Sequence, residues 1–153
     1  MVFVRKATAK DEAVVIDLLK ELRAVSEMPS SWSDNWPKVA VTFQEVIRNE
    51  ALGTVLLAEE EGDVIGLLTL SYPTAMWCGG IYTCIEEFVV REWARGKGVG
   101  GKLLEAAFAE AKTKDCAEIQ VNQPSQLGYP VYLRHGFHHL GKHLKLKLHR
   151  RSA

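Results

Sequence analysis

Only three cysteines, Cys78, Cys84 and Cys116, occur in this chain of 153 residues, and no two stand in a CxxC spacing. An odd number of scattered thiols fits neither a disulfide framework nor a cysteine zinc ribbon; reduced side chains in a cytoplasm are expected. No apolar run nears the ~20 residues a membrane span requires. The opening Met1-Val2-Phe3-Val4-Arg5-Lys6 lacks the long apolar stretch of a signal peptide. Charge of neither sign dominates, since 19 Lys and Arg balance 19 Asp and Glu. A neutral chain is not expected to coat nucleic acid or a membrane surface, both of which attract excess positive charge. Repeats, low-complexity tracts and linkers are absent, as is a GxSxG serine-nucleophile motif.

What remains is a composition 47% hydrophobic and 25% charged, ordinary for one globular domain over residues 1–153. Val2 and Val4 open a short strand. Val14, Val15, Leu18, Leu19 and Leu22 follow at helical spacing, to about Val25. Residues 26–37 read as a loop holding Trp32 and Trp36, and a second helix ends near Asn49. Thr54–Ala58 and Val64–Tyr72, joined by Glu61-Gly62-Asp63, read as a hairpin. A loop with Trp77 precedes a strand over Ile81–Val90. A long helix then runs to Lys114, followed by a strand at Glu118–Asn122 and a short helix between Pro130 and Gly136. Leu144, Leu146 and Leu148 alternate with lysines, predicting a half-buried last strand. The order is that of a mixed α/β domain.

Arg95-Gly96-Lys97-Gly98-Val99-Gly100-Gly101 lies between the apolar strand and the long helix. A strand, a glycine-rich turn and a helix start make an anion site, because bare backbone N–H groups and the helix N-terminus meet there. A Walker A loop would need Ser or Thr after Gly-Lys, and Leu103 follows Lys102. Gly96, Gly98 and Gly101 satisfy GxGxxG, but Arg91–Arg95 separate them from the strand and no acid closes the next strand, so a dinucleotide site is disfavoured. A purely structural turn would not need four glycines in six positions.

Arg95-x-x-Gly98-x-Gly100, after a strand ending in Val89-Val90, resembles the acyl-CoA-binding motif of the GNAT superfamily of N-acetyltransferases. Tyr132-Leu133-Arg134-His135-Gly136-Phe137 is similar to that family's Tyr-x-x-x-Gly-Phe segment, and the element order matches over nearly the whole chain. The resemblance implies a central, mostly antiparallel sheet flanked by helices and splayed between the motif strand and the next strand. It implies acetyl-CoA as cosubstrate. Its pyrophosphate would sit on the backbone of Gly96, Lys97, Gly98, Val99, Gly100 and Gly101, with charge from Arg95 and Lys97. Its pantetheine arm would lie along Phe88, Val89 and Val90, with an N–H near Val89 or Val90 polarising the thioester. Asn122, Ser125 and Gln126 are the expected substitutes for the side chains that usually complete this contact, since Ser125 stands where the family often has Asn and Gly128 where it commonly has Ala.

The resemblance makes Tyr132 the acid toward the leaving thiolate and Glu86 the base, with Glu87 as second candidate; a water chain is a known substitute. The residues alone also allow a core tyrosine and glutamates paired with cations or solvent. Adjacent strand carboxylates point to opposite faces, so only one is expected to meet a substrate. Trp32, Trp36 and Trp77, all read as loop residues, are candidates for an aromatic acceptor pocket, or else cap the core or a dimer interface. The five histidines between His135 and His149 follow no zinc spacing, and no metal is expected. The acceptor would be the primary amine of a small molecule or peptide. Homodimers are frequent in the family, although the chain has no unambiguous interface signal. The alternative is a non-catalytic acyl-CoA-binding or sensor domain.

Overall fold

The computed structural model describes residues 1–148. Five strands form one sheet: β1 (Val2–Lys6), β2 (Gly53–Glu60), β3 (Asp63–Ser71), β6 (Thr83–Val90) and β7 (Ile119–Val121), in the order β1-β2-β3-β6-β7. All neighbours run antiparallel except β6 and β7, which are parallel. Between β3 and β6 the chain makes a small ribbon, β4 (Thr74–Ala75) and β5 (Gly80–Ile81).

The central strands are apolar without alternation because both faces of the sheet are covered. On one face α1 (Glu12–Ala24) and α2 (Trp36–Arg48) pack Val15, Leu18, Leu19 and Phe43 onto Val55, Leu57, Leu67 and Val89. On the other, α3 (Val99–Thr113) lays Val99, Leu103, Leu104 and Ala107 onto Leu56, Ala58, Ile65, Leu68 and Leu70. The short helix α4 (Tyr129–Arg134) adds Tyr132 to this second core. Local chemistry fixes the helix starts. Asp11 Oδ2 accepts from the Thr8 N–H at 2.7 Å, and Thr8 Oγ1 accepts from the Lys10 N–H, closing a capping box ahead of α1. Asn35 Oδ1 caps α2 through the Lys38 N–H at 3.2 Å, with Pro37 in the first turn. Trp36 is therefore a helical residue, not the loop residue that its Pro- and Ser-rich surroundings predict.

Two irregularities position the site. Leu70 pairs with Ile85 and Thr69 with Glu87, so Glu86 is the extra residue of a β-bulge. β6 pairs with β7 only over Thr83–Ile85, and beyond Ile85 the two strands part. This is the splayed, mostly antiparallel sheet the resemblance implies.

The expected last strand does not form. Residues 138–148 carry no regular structure, and Leu144, Leu146 and Leu148 stay 77–91% exposed. Lys145 Nζ instead donates to Ser31 Oγ at 2.9 Å and Lys147 Nζ to the Ser30 carbonyl at 2.8 Å, which holds this segment against the loop between α1 and α2. Alternation specifies a face to bury but not a strand to pair with.

Candidate active site

The gap opened by the splay leads into two adjoining cavities. The first, of about 510 Å³, is bounded by Phe88, Val90, Arg95, the Gly96–Gly101 turn and α4. The second, of about 680 Å³, is bounded by Glu86, Glu87, Trp32, Asn122 and Tyr132. Leu22, Val25, Phe88 and Ser125 line both, so the cavity at the glycine turn and the cavity at the carboxylates share a wall.

The four glycines of the turn have different reasons to be there. Gly96 and Gly98 both sit at φ +79°, which side-chain-bearing residues rarely adopt. Gly100 and Gly101 are needed for packing: a Cβ at Gly100 would stand 3.2 Å from the Phe88 ring, and one at Gly101 3.2 Å from His135 Nε2. No side chain among the described residues caps the start of α3, so the first N–H groups of the helix are available to an anion. Arg95 lines the cleft with its Nε donating to the Val90 carbonyl at 3.1 Å. Lys97 turns away, its ammonium 3.9 Å from Glu60 and over the Trp93 ring. The Val99 side chain is in the core, leaving only its backbone to the turn.

Amide direction alternates along a strand. The Glu87 N–H donates to Thr69 Oγ1 and the Arg91 N–H to the Ile65 carbonyl, both toward β3. The N–H groups of Phe88 and Val90 therefore face the open gap, and that of Val89 does not. An uncapped helix start, an open turn and a free strand edge in one cleft fit an extended ligand with a phosphate end and an amide-bearing arm, which is the chemistry of acetyl-CoA.

Glu86 and Glu87 both line the second cavity, against the alternation expected of adjacent strand residues; the bulge at Glu86 breaks that alternation. Each carboxylate accepts from one hydroxyl at 2.6 Å, Glu86 from Ser71 and Glu87 from Thr69. Burial pushes the Glu87 carboxyl above the usual carboxylate range, partly offset by the Thr69 hydrogen bond. Tyr132 is 5% exposed, its ring tilted against those of Phe88 and Phe137, and burial raises its phenol well above the ordinary value with no hydrogen bond among the described residues to offset it. Ser125 Oγ accepts from the Gly128 N–H at 3.0 Å, and Asn122 borders the carboxylate cavity, not the glycine turn.

Of the three tryptophans only Trp32 reaches this site, its Nε1 donating to Ser26 Oγ at 3.2 Å. Trp36 packs under α1 with Lys20 5.4 Å above its ring. Trp77 packs at a tilt against Tyr82 beside the β4–β5 ribbon. Leu22 and Val25 at the end of α1 line both cavities, and His135 lines the first. Sequence reasoning passed over these three, because α1 ends in residues that read simply as core and His135 stood among four other histidines. His138, His139 and His143 are exposed, and His149 lies outside the described residues.

Comparison with known proteins agrees with this fold. The model of the acetyltransferase (GNAT) family matches residues 17–137. An uncharacterized N-acetyltransferase of Bacillus subtilis, YhfO, is 29% identical over 138 residues, 88% of each chain. A predicted acetyltransferase from Clostridium acetobutylicum, solved with acetyl-CoA, superposes with a TM-score of 0.81 at 23% identity, covering 96% of both chains. A GCN5-related N-acetyltransferase from Ralstonia eutropha superposes with a TM-score of 0.82 at 16% identity, covering 96% of this chain and 99% of the other. With its fold, its glycine turn and a family match over most of its length in agreement, the chain belongs to the GNAT family of acetyltransferases.

Proposed function

We propose that this protein is an acetyl-CoA-dependent N-acetyltransferase that acetylates a primary amine by direct attack. The observation carrying the reading is that the uncapped Gly96–Gly101 turn borders one cavity and Glu86, Glu87 and Tyr132 border a second that shares Phe88 and Ser125 with it. Bound acetyl-CoA supplies an activated acetyl thioester. The N–H groups of Gly96–Gly101 hold its pyrophosphate, with Arg95 adding charge, and the open edge of β6 holds its arm. The N–H of Val90 polarises the acyl carbonyl. Glu87 takes a proton from the acceptor ammonium, since its raised pKa makes it a better base near neutral pH than an ordinary carboxylate. Glu86 sits beside it and receives the cationic acceptor. Tyr132 gives its phenolic proton to the departing sulfur; a phenol kept neutral by burial stays loaded for that transfer. No helix among the described residues is long and apolar enough to cross a membrane, and the free thiols fit a reducing compartment.

The test is Tyr132→Phe, assayed for CoA release with the best amine of a panel. Turnover at saturating acetyl-CoA should fall about 100-fold or more, with acetyl-CoA affinity by calorimetry unchanged. A protein that binds acetyl-CoA but releases no CoA with any amine is a binding or sensor domain.

A further inference from the structure

We infer that Thr69 is a positioning residue of the site: its hydroxyl locks one oxygen of the Glu87 carboxylate and leaves the other as the oxygen that takes the proton. The inference rests on the reading of Glu87 as the base. From Ile65 to Leu70, β3 is apolar apart from Gly66 and Thr69, and Thr69 is buried there. A buried hydroxyl in such a run costs stability unless it is hydrogen-bonded, and valine would fill the same space without that cost. The Thr69 hydroxyl directs both its capacities to one residue. Its Oγ1 accepts from the Glu87 N–H at 3.0 Å and donates to Glu87 Oε1 at 2.6 Å. The N–H on its lone pair keeps the hydroxyl from turning its proton elsewhere. Glu87 Oε2 has no partner among the described residues, and Glu87 borders the cavity.

The bulge decides which glutamate is held. Leu70 pairs with Ile85, and an unbroken register would set Thr69 opposite Glu86. The extra residue moves Thr69 on to Glu87, while the exposed Glu86 accepts from the Ser71 hydroxyl at 2.6 Å. Two adjacent carboxylates thereby receive unlike surroundings from two hydroxyls of one strand. Burial raises the Glu87 carboxyl, the Thr69 bond draws it back, and Glu86 adds to the rise. The other chargeable groups at the cavity are Glu27 from the loop between α1 and α2, Lys145 from the C-terminal segment and Tyr132 from α4. Into the same cavity α1 and β7 present Leu22 and Val121, neither titratable, and Asp17 and Glu21 of α1 are paired with Arg91. The proton of the acceptor ammonium passes to Oε2. This leaves a neutral amine and a neutral carboxyl whose Oε1 still accepts from Thr69.

The experiment follows the Glu87 carboxyl by NMR across pH in the full chain carrying isotope-labelled glutamate, its resonance identified by its loss in Glu87→Gln. Thr69→Val, nearly the same shape without the hydroxyl, should move the Glu87 titration upward by about one unit. Thr69→Ser should restore it to within about half a unit of the wild type. Thr69→Val also strands the Glu87 N–H and lowers the melting temperature, but a structural role alone would not move the titration. Should Thr69→Val not fold, Thr69→Cys, a weaker donor of similar size, should give a shift in the same direction. Ser71→Ala, which releases Glu86 instead, should leave Glu87 within about half a unit. A Glu87 titration unmoved in the folded variant, or moved as far by Thr69→Ser or Ser71→Ala, overturns the inference. The acid limb of kcat/KM should move together with the carboxyl. A carboxyl that moves while the limb stays would uphold the Thr69 lock and sink Glu87 as the base, so the two fail separately.

Discussion

Glu87 and Tyr132 occupy comparable surroundings to opposite chemical effect. Burial raises the pKa of both. For the carboxylate this yields a base closer to neutral pH, and for the phenol an acid that keeps its proton. Activity should therefore rise with pH through the raised pKa of Glu87 as the base deprotonates. Glu87→Gln should remove that acid limb of the kcat/KM profile and cost about 100-fold or more in rate. An unaltered limb would assign it to another group, Glu86 first. Trp32 is the one aromatic of three that borders the site, so Trp32→Ala should raise the acceptor KM several-fold, by roughly the strength of an exposed cation–π contact. Trp77→Ala should leave it unchanged.

At the scale of elements, the site depends on how α1 and the turn before α3 are held together. Arg91 Nη1 donates to Asp17 at 2.7 Å and to Glu21 at 3.1 Å, and the other Glu21 oxygen accepts from the Glu92 N–H at 3.2 Å. These bonds tie α1, whose Leu22 walls both cavities together with Val25 just beyond the helix end, to the residues leading into Arg95. Glu21→Gln should raise the KM for acetyl-CoA several-fold with little change in kcat, and Glu21→Asp should restore part of it. Gly98→Ala should destabilise the fold by about 1 kcal/mol, because φ +79° is unfavourable for alanine, and should also weaken acetyl-CoA binding. The turn, the long helix and the Tyr-x-x-x-Gly-Phe segment were legible in the sequence because each rests on local chemistry: glycine conformation, helical periodicity and a glycine just past a helix end. The bulge at Glu86 was not, since it arises from the register between β3 and β6, and with it went the knowledge that Glu86 and Glu87 share one cavity. The missing strand at Leu144–Leu148 is the reverse case, a local pattern with no pairing partner among the described residues.

Across the whole molecule, the sheet covered on both faces accounts for stability, and groups with shifted pKa values, Asp11 and Tyr72 among them, give that stability a pH dependence. Asp11, hydrogen-bonded to Arg5, has its pKa lowered from 3.8 to about 2. The folded state therefore holds that proton more weakly, and the stabilisation present above pH ~4 is lost as pH falls toward 2. Burial raises Tyr72 from 10.0 to about 12, partly offset by its hydrogen bond with Thr54. Its contribution is complete below pH ~10 and is lost as pH rises toward 12. Thermal melts across pH should show both limbs. Asp11→Asn should flatten the acid one and Tyr72→Phe should reduce the alkaline one, with Tyr132 supplying the remainder. The acceptor side shows where sequence reasoning ended. The aromatic candidates could be named from composition, but only the tertiary arrangement separates Trp32 from Trp36 and Trp77. The most direct test of the central claim is mass spectrometry of a mixed amine pool incubated with the protein and acetyl-CoA. The account predicts an amine one acetyl group heavier, formed by the wild-type chain and about 100-fold more slowly by Tyr132→Phe. An unmodified pool, with acetyl-CoA bound and intact, would contradict it.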